Sequence, residues 1–185
     1  RYPQLFCDDA PIAAQADIKM RHTDGSVKFA IFSVVLPSLS SSVPATLTFA
    51  DSGAPVAWPV PAFTTDAAVE IVGRGTVRAQ DIINADGVRL WTAGPVCTTA
   101  IIADHDGKAF DIGPDAHKSL RPMFEVQFWH TINKARVRVI VENCDSQKVQ
   151  AQTYDVRVHL GGQVVYSRNA VPHNHLSRWT RVFWT

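Results

Sequence analysis

Polar and apolar residues alternate along most of this chain. Between residues 16 and 22, Ile18 and Met20 stand against Lys19 and Arg21, and further on Val27, Phe29 and Ile31 alternate with Lys28 and Ala30. A period of two is the mark of a strand with two unlike faces. Thr23-Asp24-Gly25 separates the two runs. Glycine takes a positive φ without steric cost, so strand, Asp-Gly turn and strand predict a β-hairpin. The second run continues as an apolar stretch to Leu36, broken only by Ser33. Such a stretch predicts a strand buried on both faces.

The same alternation recurs downstream. Strands are expected at 45–50, 69–72, 76–83, 88–91, 96–103, 121–130, 135–143, 154–160, 163–167 and 178–184. Phe124, Val126 and Phe128 share one face, opposite Glu125, Gln127 and Trp129; Val137, Val139 and Val141 stand opposite Arg136, Arg138 and Glu142. Gly161-Gly162 reads as a two-residue hairpin turn. Residues 37–44 read as a loop. Residues 51–66 hold three prolines and a glycine and read as a long irregular connection, because Pro59 and Pro61 exclude a central strand. No window carries apolar residues at i, i+3, i+4 and i+7 with caps, so no helix is predicted. The expected fold is all-β: an antiparallel barrel or sandwich of about eleven strands in a single domain.

Composition narrows the functional classes. The chain has 185 residues, enough for one ordinary domain with its own core. Eighteen basic and 17 acidic residues leave a net charge of +1, without the basic excess of an electrostatic nucleic-acid binder. No stretch approaches the roughly 20 apolar residues of a membrane-spanning helix. The first residue is Arg1, which suggests a processed product or a piece of a longer chain. Cys7, Cys97 and Cys144 are too few for a disulfide scaffold, although one bridge, such as Cys97–Cys144, is open to an oxidising compartment.

Candidate chemistry is sparse. His173-Asn174-His175 could share a metal if both rings lay on one strand face, but the segment follows Pro172 and reads as a loop, and two ligands do not close a site. Asp104-His105-Asp106-Gly107 resembles the opening of a calcium loop, yet the twelfth position is Asp115 and no helices flank it, so a turn is expected. Gly73-Arg74-Gly75 lacks the phosphate-loop pattern, and no GxSxG elbow is present. Asp8, Asp9, Glu70, Glu125 and Glu142 are candidate carboxylates for glycoside chemistry, although Glu142 is equally explained by an ion pair to a neighbouring strand. The densest cluster is aromatic. Trp179, Phe183 and Trp184 interleave with Arg178 and Arg181, and aromatic faces with arginines can stack on sugar rings. Trp129, Arg178, Trp179, Arg181 and Trp184 are therefore the candidate binding residues. No metal, cofactor or catalytic residue is assigned.

Residues 16–32 (ADIKMRHTDGSVKFAIF) carry a DGS hairpin, 91–96 read WTAGPV, and 136–143 (RVRVIVEN) and 177–184 (SRWTRVFW) follow. Together they resemble the N-terminal RIFT-barrel-like domain of the exo-rhamnogalacturonan lyase/YetA-like family, with related modules in tailed-phage structural proteins. Phe29 stands where that pattern favours Trp. The resemblance implies a RIFT-barrel-like fold and a place in a longer protein, and it carries no catalytic residue over. It implies a non-catalytic structural or surface-recognition module, for instance of a phage virion or tail. Other domains or subunits of an assembly are then its partners, and its place is a virion or an extracellular surface rather than the cytoplasm. The alternative is an accessory domain of a polysaccharide lyase with glycan as partner.

Overall fold

A computed structural model of the chain describes residues 2–36, 38–40, 42–53, 64–145, 147 and 149–185. Among them the alternating segments form strands, and every pairing described is antiparallel. The all-β expectation holds. The described strands number fourteen and lie in four sheets, none of them closed. By its internal contacts the chain divides into two units. Unit 1 is Arg1–Pro61, Trp91–Thr99 and Phe128–Lys134; unit 2 is Ala62–Leu90, Ala100–Gln127 and Ala135–Thr185.

In unit 1, β1 (Tyr2–Cys7), β2 (Ala10–Ile12) and β5 (Leu47–Gly53) form a sheet in the order β2-β1-β5. The first twelve residues lack a clear alternation, and these two strands were not expected. Asp8 and Asp9 join them, both in the left-handed region (φ 48° and 65°), as a two-residue hairpin turn requires. The Asp8 carboxylate accepts the Thr46 amide at 2.9 Å. The expected hairpin is β3 (Ala14–Arg21) with β4 (Val27–Val34). Its turn is held by Asp24, whose carboxylate accepts the Ser26 hydroxyl at 2.6 Å and the Ser26 amide at 2.8 Å. These bonds, the hydroxyl's foremost, hold the Asp24 carboxyl below its ordinary range.

In unit 2, β6 (Ala68–Ile71), β7 (Gly75–Arg78), β12 (Gln152–Leu160) and β13 (Gln163–His173) form a sheet in the order β13-β12-β6-β7. A second sheet runs β14-β11-β10-β9-β8, from β14 (Ser177–Trp184) and β11 (Lys134–Asn143) through β10 (Arg121–Trp129) and β9 (Cys97–Ile102) to β8 (Val88–Ala93); the last three carry residues of both units. The predicted alternation sorts the side chains as expected. Val137, Val139 and Val141 of β11, Val156 and Val158 of β12, and Phe124 and Val126 of β10 are buried in one cluster with Val69, Ile71 and Ile102. Fully burying such a side chain contributes roughly 1.5–3 kcal/mol.

The expected strand at 76–83 is corrected. It is β7 followed by a helix, α1 (Ala79–Asn84). Ala79 and Ile82, three apart, enter the core together, and the Ala79 amide donates to Ala67 O at 2.8 Å. Ala and Gln favour the helix, while a helix of six residues is too short to show a 3.6-residue period. The long connection expected at 51–66 begins inside β5, and residues 54–63 lie outside the described residues.

Candidate functional site

The hairpin of unit 1 is turned opposite to expectation. Gln15, Asp17 and Lys19, the polar face of β3, hold the 91–97 segment. The buried Gln15 amide donates to Asp17 Oδ2 at 2.6 Å and Cys97 O at 2.8 Å, and accepts from the amides of Val96 (3.1 Å) and Cys97 (2.8 Å). Asp17 accepts the Ala93 amide at 2.9 Å. Lys19 bonds Trp91 O and lies over the indole, 4.9 Å from its centroid. Gly94 permits this approach, because a Cβ there would stand 2.4 Å from the Gln15 side chain. The apolar face therefore points outward. Ala16↔Phe32 and Ile18↔Ala30 are cross-strand pairs on one face; a register shift follows, and beyond it Met20 pairs with Phe29. Met20 and Phe29 are each 50% exposed, and Phe32 packs on Phe49, itself 59% exposed, at 4.9 Å between ring centroids. The strand read as buried on both faces is therefore only partly covered: Phe29 and Phe32 of β4 are exposed while Ser33 is buried.

The five candidate binding residues fall in both units. Trp129 ends β10 in unit 1; the other four lie in unit 2 on β14. Alternation along β14 then splits those four. Trp179 is buried, and Arg181 caps it: its guanidinium lies 5.3 Å from the Trp179 centroid and 5.0 Å from that of Tyr166, and donates to the Tyr166 hydroxyl at 3.2 Å. These two are packing residues of the core rim. Arg178 and Trp184 point the other way. Arg178 pairs across the strand with Glu142 at 2.5 Å, and Trp184, 62% exposed, stands opposite Arg136 in the register.

The histidine pair is also corrected. His173 is not in a loop: it ends β13 and is buried, with Nδ1 2.9 Å from the Tyr154 hydroxyl and Nε2 3.0 Å from Ser177 O. Burial lowers the His173 pKa and pushes the Tyr154 hydroxyl up. His175 Nε2 meets Asp145 O at 3.2 Å, so the two rings serve separate backbone carbonyls. Cys7 and Cys144 are free thiols, which removes the Cys97–Cys144 bridge; Cys97 Sγ lies 3.8 Å from the Thr99 hydroxyl.

Glu70, Glu125 and Glu142 of the candidate carboxylates each meet an arginine. Glu125 binds Arg136 and Arg138, each at 3.2 Å, and Glu70 binds Arg157 and His159. One cleft of unit 2, about 230 Å³, is lined by Lys108, Asp111, Ser119, Arg121, Glu142 and Asp145. Asp111 bonds Arg121 at 3.1 Å, Lys108 bonds Asp145 at 2.8 Å, and Glu142 bonds Arg178. Burial raises the Asp111 carboxyl pKa against the opposing pull of Arg121. Every carboxylate lining this cleft already holds a cation, so it reads as an ion-pair network. No hairpin turn closes β9 at 104–107: the segment opens the longer connection to β10, and the Asp104 carboxylate there accepts the amides of Gly107 (2.8 Å) and Ala109 (2.7 Å). Among the described residues no group of three or more His, Cys, Asp or Glu side chains is placed to hold a metal. No helix among them is long and apolar enough to cross a membrane.

No protein family, curated protein or solved structure matches the chain.

Proposed function

We propose that this chain is a non-catalytic recognition module that docks another domain or subunit of a larger assembly on the outward face of the β3–β4 hairpin. The observation that carries this reading is the set of exposed apolar side chains Met20, Phe29 and Phe32 on the hairpin, with Phe49 packed on Phe32, while Gln15 and Asp17 of the same hairpin are used up inside unit 1. Contiguous exposed apolar faces of this kind mark contact surfaces. The RIFT-barrel-like architecture and the virion context belong to the same reading, and rest on the DGS hairpin and the antiparallel strands around it.

Sedimentation velocity over a concentration series, with an apolar dye as reporter, tests the proposal. Self-association and dye binding through the open face are expected, both lost in Phe29→Ser/Phe49→Ser with little change in Tm. A chain that stays monomeric and binds no dye would sink the reading.

A second reading, an accessory domain of a polysaccharide-processing protein, is favoured by the exposed β11–β14 face, where Trp184 stands opposite Arg136 and beside the row that carries Arg138 and Arg178. Titration with uronate-containing oligosaccharides should quench Trp fluorescence, and Trp184→Ala should remove the response. A flat titration rules against it.

A further inference from the structure

We infer that the outer edge of β3 takes a further strand: an extended segment of the docking partner, of alternating apolar and acidic residues, adds to the β3–β4 sheet beside residues 16–21. The inference rests on the docking reading of the hairpin and names the partner's chemistry there.

A groove of about 510 Å³ lies against β3, lined by the six consecutive residues 16–21. Successive side chains of a strand point to opposite faces. A groove over one face would be floored by alternate residues of β3 together with their cross-strand neighbours on β4. Among the described residues none of β4 lines this one. It therefore follows the outer edge of β3, where main-chain N–H and C=O groups stand in a row. Among the described residues no strand pairs with that edge, since the sheet consists of β3 and β4. Such an edge is a template for a strand from another chain, with main-chain bonds supplying affinity and side chains supplying specificity.

The edge is also held in place. Gln15 and Asp17 are bonded to the 91–97 segment, and Lys19 bonds Trp91 O. A fixed edge spares the partner the cost of ordering it.

Charge selects the strand. Lys19 and Arg21 lie on the groove, and the one carboxylate beside them, Asp17, is spent on the Gln15 amide at 2.6 Å and the Ala93 amide at 2.9 Å. Among the described residues neither cation meets a carboxylate: Lys19 is bonded to a carbonyl, and Arg21 Nη1 donates to Gly25 O at 2.8 Å. A second copy of β3 would set these cations against like charges, which destabilises a strand pair. Acidic residues complement them, and apolar residues between the acidic ones meet Ile18 and Met20.

Two acetylated and amidated heptapeptides, one of alternating glutamate and valine and one of alternating lysine and valine, test the inference by amide shifts and amide exchange of the full chain. The glutamate peptide should bind saturably in the millimolar range, more weakly in high salt, and slow amide exchange within residues 16–21. The lysine peptide should not bind. The glutamate peptide N-methylated throughout keeps its side chains and loses its N–H donors, and its affinity should fall at least about tenfold. Arg21→Glu should weaken the unmethylated glutamate peptide about threefold. Equal binding of the N-methylated or the lysine peptide, unchanged affinity in the Arg21 variant, or no saturable binding with protection at 16–21 would overturn strand addition. Each of these leaves the docking reading standing, because that reading is tested separately by self-association and dye binding in Phe29→Ser/Phe49→Ser.

Discussion

Single buried polar side chains define much of this molecule. His173 donates from Nε2 to Ser177 O, and in the neutral ring that burial favours Nδ1 accepts from the Tyr154 hydroxyl. Its pKa is lowered by burial. The unfolded chain therefore takes up a proton that the fold refuses as pH falls through the ordinary histidine range near ~6.5. Stability is full above that range and declines below it. Tm should drop between about pH 8 and about pH 5, and His173→Gln should flatten the slope while lowering Tm at the alkaline end. Equal slopes in wild type and variant would show that the ring is not held neutral. Gln15 is the corresponding residue of unit 1. Gln15→Ala removes the acceptor of two buried amides, and each such loss costs about 1–3 kcal/mol. A denaturant midpoint unchanged within error would contradict the role of this side chain. Gln15 does not announce itself in sequence, because a lone Gln in an alternating strand reads as a wet position.

At the scale of elements, strand identity was legible and strand polarity was not. β10, β11 and β12 show the expected alternation, because each packs one face on a large apolar core. The β3–β4 hairpin was predicted with its turn in place, but its apolar face was expected inside. Period two fixes which residues share a face; which face is covered depends on what else folds against it. Here the polar row finds the 91–97 backbone, and that choice is set by residues about 80 positions away in the chain. The candidate cluster on β14 dissolved for the same reason: neighbours in sequence lie on opposite faces of a strand. α1 was read as strand because six residues are too few to display a period. Its end is fixed by packing, and this yields a sharp prediction. Gly87→Ala forces a methyl group against Ile82 and the Ala103 carbonyl, and overpacking of this kind costs about 1–3 kcal/mol. Thermal unfolding of the variant measures it; an unchanged Tm would mean that the α1–β8 turn relaxes freely.

The two units differ in what holds them. Unit 2 buries one large apolar cluster that draws on strands of both its sheets and on α1. Among the described residues of unit 1 the buried set is Leu5, Val96 and Cys97 with the polar Gln15, Ser33, Thr92, Thr98 and Thr99. Apolar burial is the dominant favourable term in folding, so a unit that buries few large side chains opens at lower free energy. Native-state amide exchange should therefore separate the two. The β11 and β12 amides should exchange through the slowest openings of the molecule. The β3–β4 amides should exchange faster, through an opening that leaves unit 2 intact. The docking proposal adds a condition, because a partner laid on Met20, Phe29 and Phe32 would supply the apolar burial that the hairpin lacks. Protection of β3–β4 should then rise when the partner binds, with β11 and β12 unchanged. Equal protection of both units in the isolated chain would mean that the hairpin's polar clip alone matches a full apolar core, and the open face would lose its energetic reason for a partner.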